Sequence, residues 1–115
     1  MHELSLVMNV LKMAEEETIR HKAERVEKVC MEIGILSGVE MDAFTFAWGQ
    51  ATTGTVLDKA QLEVKRPQGA GTCRICTHRF PVQELYSACP QCGSYDVLID
   101  QGKELRVHSL VLINQ

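Results

Sequence analysis

Cys73-Arg74-Ile75-Cys76, then twelve intervening residues, then Cys89-Pro90-Gln91-Cys92 is the stretch that decides how this chain folds. Two residues between cysteines let one tight turn aim both thiolates at a single ion. Two such turns, at the tips of facing hairpins, complete a tetrahedron. Gly93 directly follows the second pair and permits the positive φ that such a knuckle commonly needs, and Pro90 stiffens the same turn. Soft thiolates select zinc or iron over hard cations. With four protein ligands no coordination position stays open, so the ion is structural and not catalytic. Its binding contributes folding free energy on the order of 10 kcal/mol or more, enough to hold a segment whose own core is too small. Zinc on Cys73, Cys76, Cys89 and Cys92 is the preferred reading. A rubredoxin-like iron site, suited by Cys89-Pro90-Gln91-Cys92-Gly93, and a redox dithiol pair are the alternatives.

His78 stands two residues after Cys76. It is either a solvated turn histidine or an auxiliary ligand, able to substitute for a cysteine near neutral pH because imidazole titrates there. Zinc ribbons often bind nucleic acid, but from Gly69 to Asp100 only Arg74 and Arg79 stand against Glu84, Asp96 and Asp100. Phosphate contacts need clustered cations, so no nucleic-acid partner is expected.

Outward from the cysteines the composition changes. Gln68-Gly69-Ala70-Gly71 is a flexible entry, and from Lys103 a strong alternation begins. Leu105, Val107, Ser109, Val111 and Ile113 form one face, and Arg106, His108, Leu110 and Leu112 the other, as in a long strand. Upstream, Leu4, Val7, Leu11, Ala14 and Thr18 recur at helical spacing, with Met8 and Val10 widening the stripe, and predict a helix from Leu4 to about His21. Val29, Met31 and Ile33 alternate with Lys28, Cys30 and Glu32 in a strand over about 26–35. Ser37-Gly38-Val39-Glu40 has the spacing of a helix start, and the helix after it carries Phe44, Phe46, Ala47 and Trp48 as core candidates. Leu62 and Val64 mark a short strand before Pro67. The expected fold is α+β: a small mixed sheet with two helices on one face, plus an inserted zinc-ribbon module. The domains are then 1–67 with 103–115, and 68–102.

The 115 residues carry a net charge of −3 and a pI near 5.8, which does not favour nucleic acid or an anionic membrane. No run approaches a membrane span and no secretory signal opens the chain, so a cytoplasmic location is expected. In that compartment five cysteines read as ligands or buried thiols, with Cys30 a small buried hydrophobe. No nucleophile triad, paired-carboxylate pocket or phosphate-cradling loop is evident, so no enzyme activity is expected.

His2 follows Met1 directly. Removal of an initiator methionine requires a small second residue, so Met1 is expected to keep a free amine. The amine, the His2 backbone nitrogen and the His2 imidazole then lie within chelating reach of one ion, with the Glu3 nitrogen a further donor. Such nitrogen-rich sets favour square-planar Ni²⁺ or Cu²⁺. Any Met-His start satisfies this description, and a flexible terminus is the plainer reading.

Met1-His2-Glu3-Leu4-Ser5, Ile33-Gly34-Ile35-Leu36-Ser37-Gly38-Val39-Glu40 and the two cysteine knuckles together resemble the HypA/HybF family of nickel metallochaperones for [NiFe]-hydrogenase maturation. The similarity runs over essentially the whole chain. It implies nickel held at Met1 and His2 with Glu3 beside the site, and zinc on the four cysteines. It also implies delivery of nickel to the hydrogenase large subunit with the GTPase HypB as partner, and in some organisms service to urease maturation. His78 falls where some members carry a histidine, while His21 and His108 read as surface or packing residues. The competing reading is a zinc-ribbon adaptor without nickel function, and an iron-centred electron carrier is a third. The state of assembly, monomer or homodimer, is left open by the sequence.

Overall fold

The computed structural model describes residues 2–114. In chain order the elements are α1 (Glu3–Arg20), β1 (Arg25–Ile33), α2 (Met41–Thr52), β2 (Gln61–Lys65), β3 (Ala70–Cys73), β4 (Arg79–Pro81), β5 (Val97–Gln101) and β6 (Leu105–Ile113). They form two three-stranded sheets, ordered β2-β1-β6 and β4-β3-β5. The first sheet is mixed. At the β1–β6 pair the Glu24 N–H donates to the Ile113 carbonyl and the Gly34 N–H to the Glu104 carbonyl, so those strands are antiparallel. On the other side Val26 donates to Val56 and Ile35 to Pro67, so β1 and β2 run the same way, with α2 as the crossover. The α+β expectation is therefore met.

Two compact units divide the chain: Met1–Met31, Val39–Val64 and Val107–Gln115 form one, and Glu32–Gly38 with Lys65–Arg106 the other. In the first, α1 buries Val7, Val10, Leu11, Ala14 and Thr18, a stripe at helical spacing, and packs against α2. Leu4, in the first turn, and Met8, at the side of the stripe about 100° round the helix from Val7, were expected in it and are exposed. The helix closes with Lys22 at positive φ. The Ala23 N–H returns to the Thr18 carbonyl and the Lys22 N–H to the Ile19 carbonyl, which satisfies two carbonyls of the last turn.

α2 starts later than its sequence signal. Ser37 does not cap it: the Ser37 N–H folds back onto the Gly34 carbonyl. Glu40 itself is the cap, and its carboxylate accepts from the Asp42 N–H at 3.2 Å and the Ala43 N–H at 2.8 Å. Replacing Glu40 by alanine is expected to cost about 1 kcal/mol of stability in urea unfolding. Phe44 and Trp48 are buried together, with ring centroids 5.9 Å apart. Phe46 departs from the expected core and is 71% exposed, since it lies on the opposite side of α2 from Phe44, Ala47 and Trp48. In β1, Val29, Met31 and Cys30 are all buried, as is Ile33 at its end.

In the second unit β3 pairs antiparallel with both β4 and β5. Its core is small: Cys73, Phe80, Val82 and Cys89, with Leu36, Cys76, Val97 and Ile99 packed against it. Three segments cross closely beside that core. The Gly34 N–H donates to the Glu104 carbonyl, the Leu36 N–H to the Gly102 carbonyl and the Ile35 N–H to the Pro67 carbonyl. Arg66 adds a hydrogen bond from Nε to the Ile33 carbonyl at 2.6 Å. Gly34, Gly69 and Gly102 let these backbones approach. A methyl group on Gly34 would overlap the Gly102 carbonyl, and one on Gly102 would lie 2.7 Å from the Gly69 Cα.

Candidate metal centre

The four paired cysteines converge. Their sulfurs all lie within 4.8 Å of one another, and none forms a disulfide. Cys73 Sγ is 3.5 Å from Cys92 Sγ, and Cys76 Sγ is 3.6 Å from Cys89 Sγ. A tetrahedral zinc with bonds of about 2.3 Å places its sulfurs about 3.8 Å apart, so the donor set fits a thiolate-bound ion. Cys73 and Cys89 are buried, Cys76 is half-buried and Cys92 is exposed.

Each knuckle follows from local chemistry. In the first, at the tip of the β3–β4 hairpin, the Thr77 N–H donates to the Cys73 carbonyl and the Cys73 N–H to the His78 carbonyl. In the second, the Gly93 N–H donates to the Cys89 carbonyl and the Cys89 N–H to the Ser94 carbonyl. The fourth residue after each leading cysteine takes positive φ: Thr77 at 64° and Gly93 at 79°. The glycine was legible. The threonine, whose β-branch disfavours that region, was not. The second knuckle also differs from the facing-hairpin expectation. It lies in the loop between β4 and β5, two strands that both pair with β3 and not with each other.

The thiols are held in unequal states. The Cys76 N–H points at Cys73 Sγ and, despite burial, lowers the Cys73 thiol to about 7. The His78 N–H favours the Cys76 thiolate, but burial and the neighbouring thiols push that group up to about 12. Without a cation four thiolates cannot share so small a volume. A divalent ion removes that conflict by neutralising them.

His78 is not among the side chains that gather. Its backbone closes the first knuckle, while its imidazole stacks on Phe80 at 5.9 Å and 13°. His21 caps the C-terminus of α1 and lies 3.5 Å from the Glu17 carboxylate, and His108 is exposed on β6.

At the start of α1, Met1 lies outside the described residues. His2 is the N-cap: its backbone is extended, its carbonyl accepts from the Leu6 N–H at 3.2 Å, and its exposed side chain makes no capping hydrogen bond. Glu3 is the first helical residue, and its carboxylate accepts the Glu40 N–H at 3.0 Å. That bond, followed by one from its own N–H, holds the Glu3 carboxyl below the ordinary range for glutamate. The cap residue of α2 is thus tied to the first turn of α1, a link between residues 37 apart that carries no local sequence signal.

The model of the family described as "Hydrogenase/urease nickel incorporation, metallochaperone, hypA" matches residues 1–112. A hydrogenase maturation factor HypA from Parabacteroides distasonis is 44% identical over 112 residues, 97% of each chain. The HypA from Dechloromonas aromatica is 43% identical over 110 residues, 96% of this chain and 97% of that one. The solution structure of the Ni metallochaperone HypA from Helicobacter pylori is similar with a TM-score of 0.71 and 30% identity, over the whole of both chains. Sequence, fold and the four-cysteine cluster agree, and the chain belongs to the HypA/HybF family of hydrogenase maturation metallochaperones.

Proposed function

We propose that this protein binds Ni²⁺ at its N-terminus and delivers it to the [NiFe]-hydrogenase large subunit, on a body stapled by zinc at Cys73, Cys76, Cys89 and Cys92. The nickel donors are the Met1 amine, the backbone nitrogens that follow it and the His2 imidazole, with Glu3 beside them. The observation that carries this reading is the placement of His2 and Glu3 at the N-cap and first turn of α1 in a chain of a nickel-incorporation family. The first N–H groups of a helix have no intrahelical partner, so their nitrogens can be recruited without breaking a helical bond. Deprotonated backbone nitrogens also offset the charge of a dication that would otherwise oppose the helix dipole.

Transfer proceeds by ligand exchange. An exposed site without a packed surround releases its ion readily, and a client offering thiolates displaces the nitrogens. The GTPase HypB is the expected partner, with urease maturation proteins as further clients in some organisms. This reading sets the protein in the cytoplasm, where a maturation partner would be met; separately, no helix among the described residues is long and apolar enough to cross a membrane. The protein performs no catalytic step of its own, and nucleic acid is not a partner. His78 acts as an auxiliary ligand only if its imidazole leaves Phe80. The adaptor reading, zinc without nickel, makes the opposite forecast for one experiment. His2→Ala is expected to weaken nickel binding at least tenfold, about 1.4 kcal/mol, with zinc content unchanged. Unaltered nickel affinity in that variant rejects the site.

A further inference from the structure

We propose, resting on the zinc assignment above, that Cys92 is an oxidation site for peroxides, and that its reaction closes a disulfide with Cys73 and releases the metal of the ribbon. Exposure singles it out. Cys73 is fully buried, Cys89 is 2% exposed and Cys76 is half-buried, while Cys92 alone of the four is exposed. Oxidation of a cysteine follows thiolate character and access together. A bound cation keeps all four sulfurs deprotonated, so access decides among them, and a small oxidant in solution meets Cys92 first. The fifth cysteine, Cys30, is buried in β1 and is not one of the converging sulfurs.

Distance selects the partner that resolves it. Cys73 Sγ lies 3.5 Å from Cys92 Sγ, and the second close contact, Cys76 Sγ to Cys89 Sγ at 3.6 Å, also runs from one knuckle to the other. Within the second knuckle the backbone is fixed. The Cys89 N–H donates to the Ser94 carbonyl and the Gly93 N–H to the Cys89 carbonyl, both at 2.8 Å. Those bonds hold the turn that aims Cys89 and Cys92 at a common centre, and joining the two would reshape it. Cys73 and Cys92 need only swing their side chains together.

The chemistry balances with one peroxide per disulfide. The Cys92 thiolate sulfur attacks one oxygen of hydrogen peroxide. An S–O bond forms, the O–O bond breaks and hydroxide leaves. Cys92 is oxidised by two electrons to its sulfenic acid, and the peroxide is reduced. The Cys73 thiolate then attacks the Cys92 sulfur. An S–S bond forms, the S–O bond breaks and a second hydroxide leaves, and each hydroxide takes a proton from solvent. Two of the four charged donors are then spent. The pair that remains cannot close a tetrahedron around a dication. A thiol reductant restores all four by exchange.

The test treats the zinc-loaded, tag-free chain with one equivalent of hydrogen peroxide at neutral pH beside a chromogenic zinc chelator. Free thiols are then blocked with N-ethylmaleimide and the chain is digested with trypsin. Cleavage after Arg74 and after Arg79 puts Cys73, Cys76, and Cys89 with Cys92 on three separate peptides. Zinc is expected to leave in step with a cross-link from Cys73 to Cys92 that exceeds the disulfide of Cys89 with Cys92 at least tenfold. Cys30 is expected to stay reduced, and dithiothreitol to restore zinc binding. With dimedone present during the reaction, the adduct is expected on Cys92. A disulfide formed chiefly within one knuckle overturns the proposal. So does a dimedone adduct chiefly on another cysteine, or zinc that stays bound after Cys73 and Cys92 are joined. Zinc is counted before the peroxide is added. A chain that carries none then fails the zinc assignment, while the peptides still report which sulfur is oxidised first and which one it joins.

Discussion

Stripping zinc with a chelator, or replacing Cys89 by serine, is expected to abolish protection of the β4-β3-β5 sheet from amide exchange while α1 and α2 keep theirs. The asymmetry follows from how each unit is held. The first unit has a conventional apolar core that includes Val7, Leu11, Val29, Met31, Phe44 and Leu57. Among the described residues the ribbon's core cluster is Cys73, Phe80, Val82 and Cys89, and two of those four are candidate ligands. A core of that size cannot offset the ordering of some forty residues, whereas zinc on four thiolates contributes on the order of 10 kcal/mol or more. Acid acts in the same direction twice. Protons compete for the thiolates. In addition the Asp100 carboxyl is held below its ordinary 3.8 by hydrogen bonds from Arg79 and Thr72. A depressed carboxyl contributes stability that is present above its unfolded value and lost as the pH falls through its folded one. A ribbon that stays protected after complete zinc removal refutes the staple.

The second large effect is expected from a single methyl group. Gly34→Ala places a Cβ onto the Gly102 carbonyl, which accepts the Leu36 N–H. Backbone cannot rotate away as a side chain can, so the crossing of segments 33–36, 66–69 and 102–104 must open. We expect a loss of about 3 kcal/mol or more in denaturant unfolding. Gly49→Ala is the matched control. Nothing lies within 4 Å of its added methyl, and it sits in the interior of α2. That variant is expected to gain roughly 0.5–1 kcal/mol from helix propensity. Similar effects at the two positions would mean that the crossing is looser than its geometry indicates.

These contrasts show what the sequence makes legible. The knuckles could be read because their chemistry is local: four cysteines at fixed spacing need only two turns to meet. α1 could be read because its apolar stripe repeats at helical spacing and is the face that becomes buried, and β6 because its apolar residues run at strand spacing, although none of them is buried. Three features were hidden for the opposite reason. Leu36 looks like part of a loop, and its packing against the ribbon core depends on a crossing that no short window contains. Glu40 was visible as a capping residue, but its role as the N-cap depends on Ser37 being drawn into a turn with Gly34. The Glu40 N–H to Glu3 bond joins two helix starts that are distant in sequence. Phe46 falls outside the core because it lies across a short helix from Phe44 and Trp48, and clustered aromatics blur that face in the sequence.

The proposed role of the chain start can be tested against the ribbon in one experiment. Nickel is titrated calorimetrically into tag-free protein and into protein extended at its amine by Gly-Ser, with zinc measured in both by mass spectrometry. One nickel per chain in the first and none in the second, at equal zinc, is the expected result. Equal nickel binding by the two proteins would place the ion elsewhere and contradict the assignment.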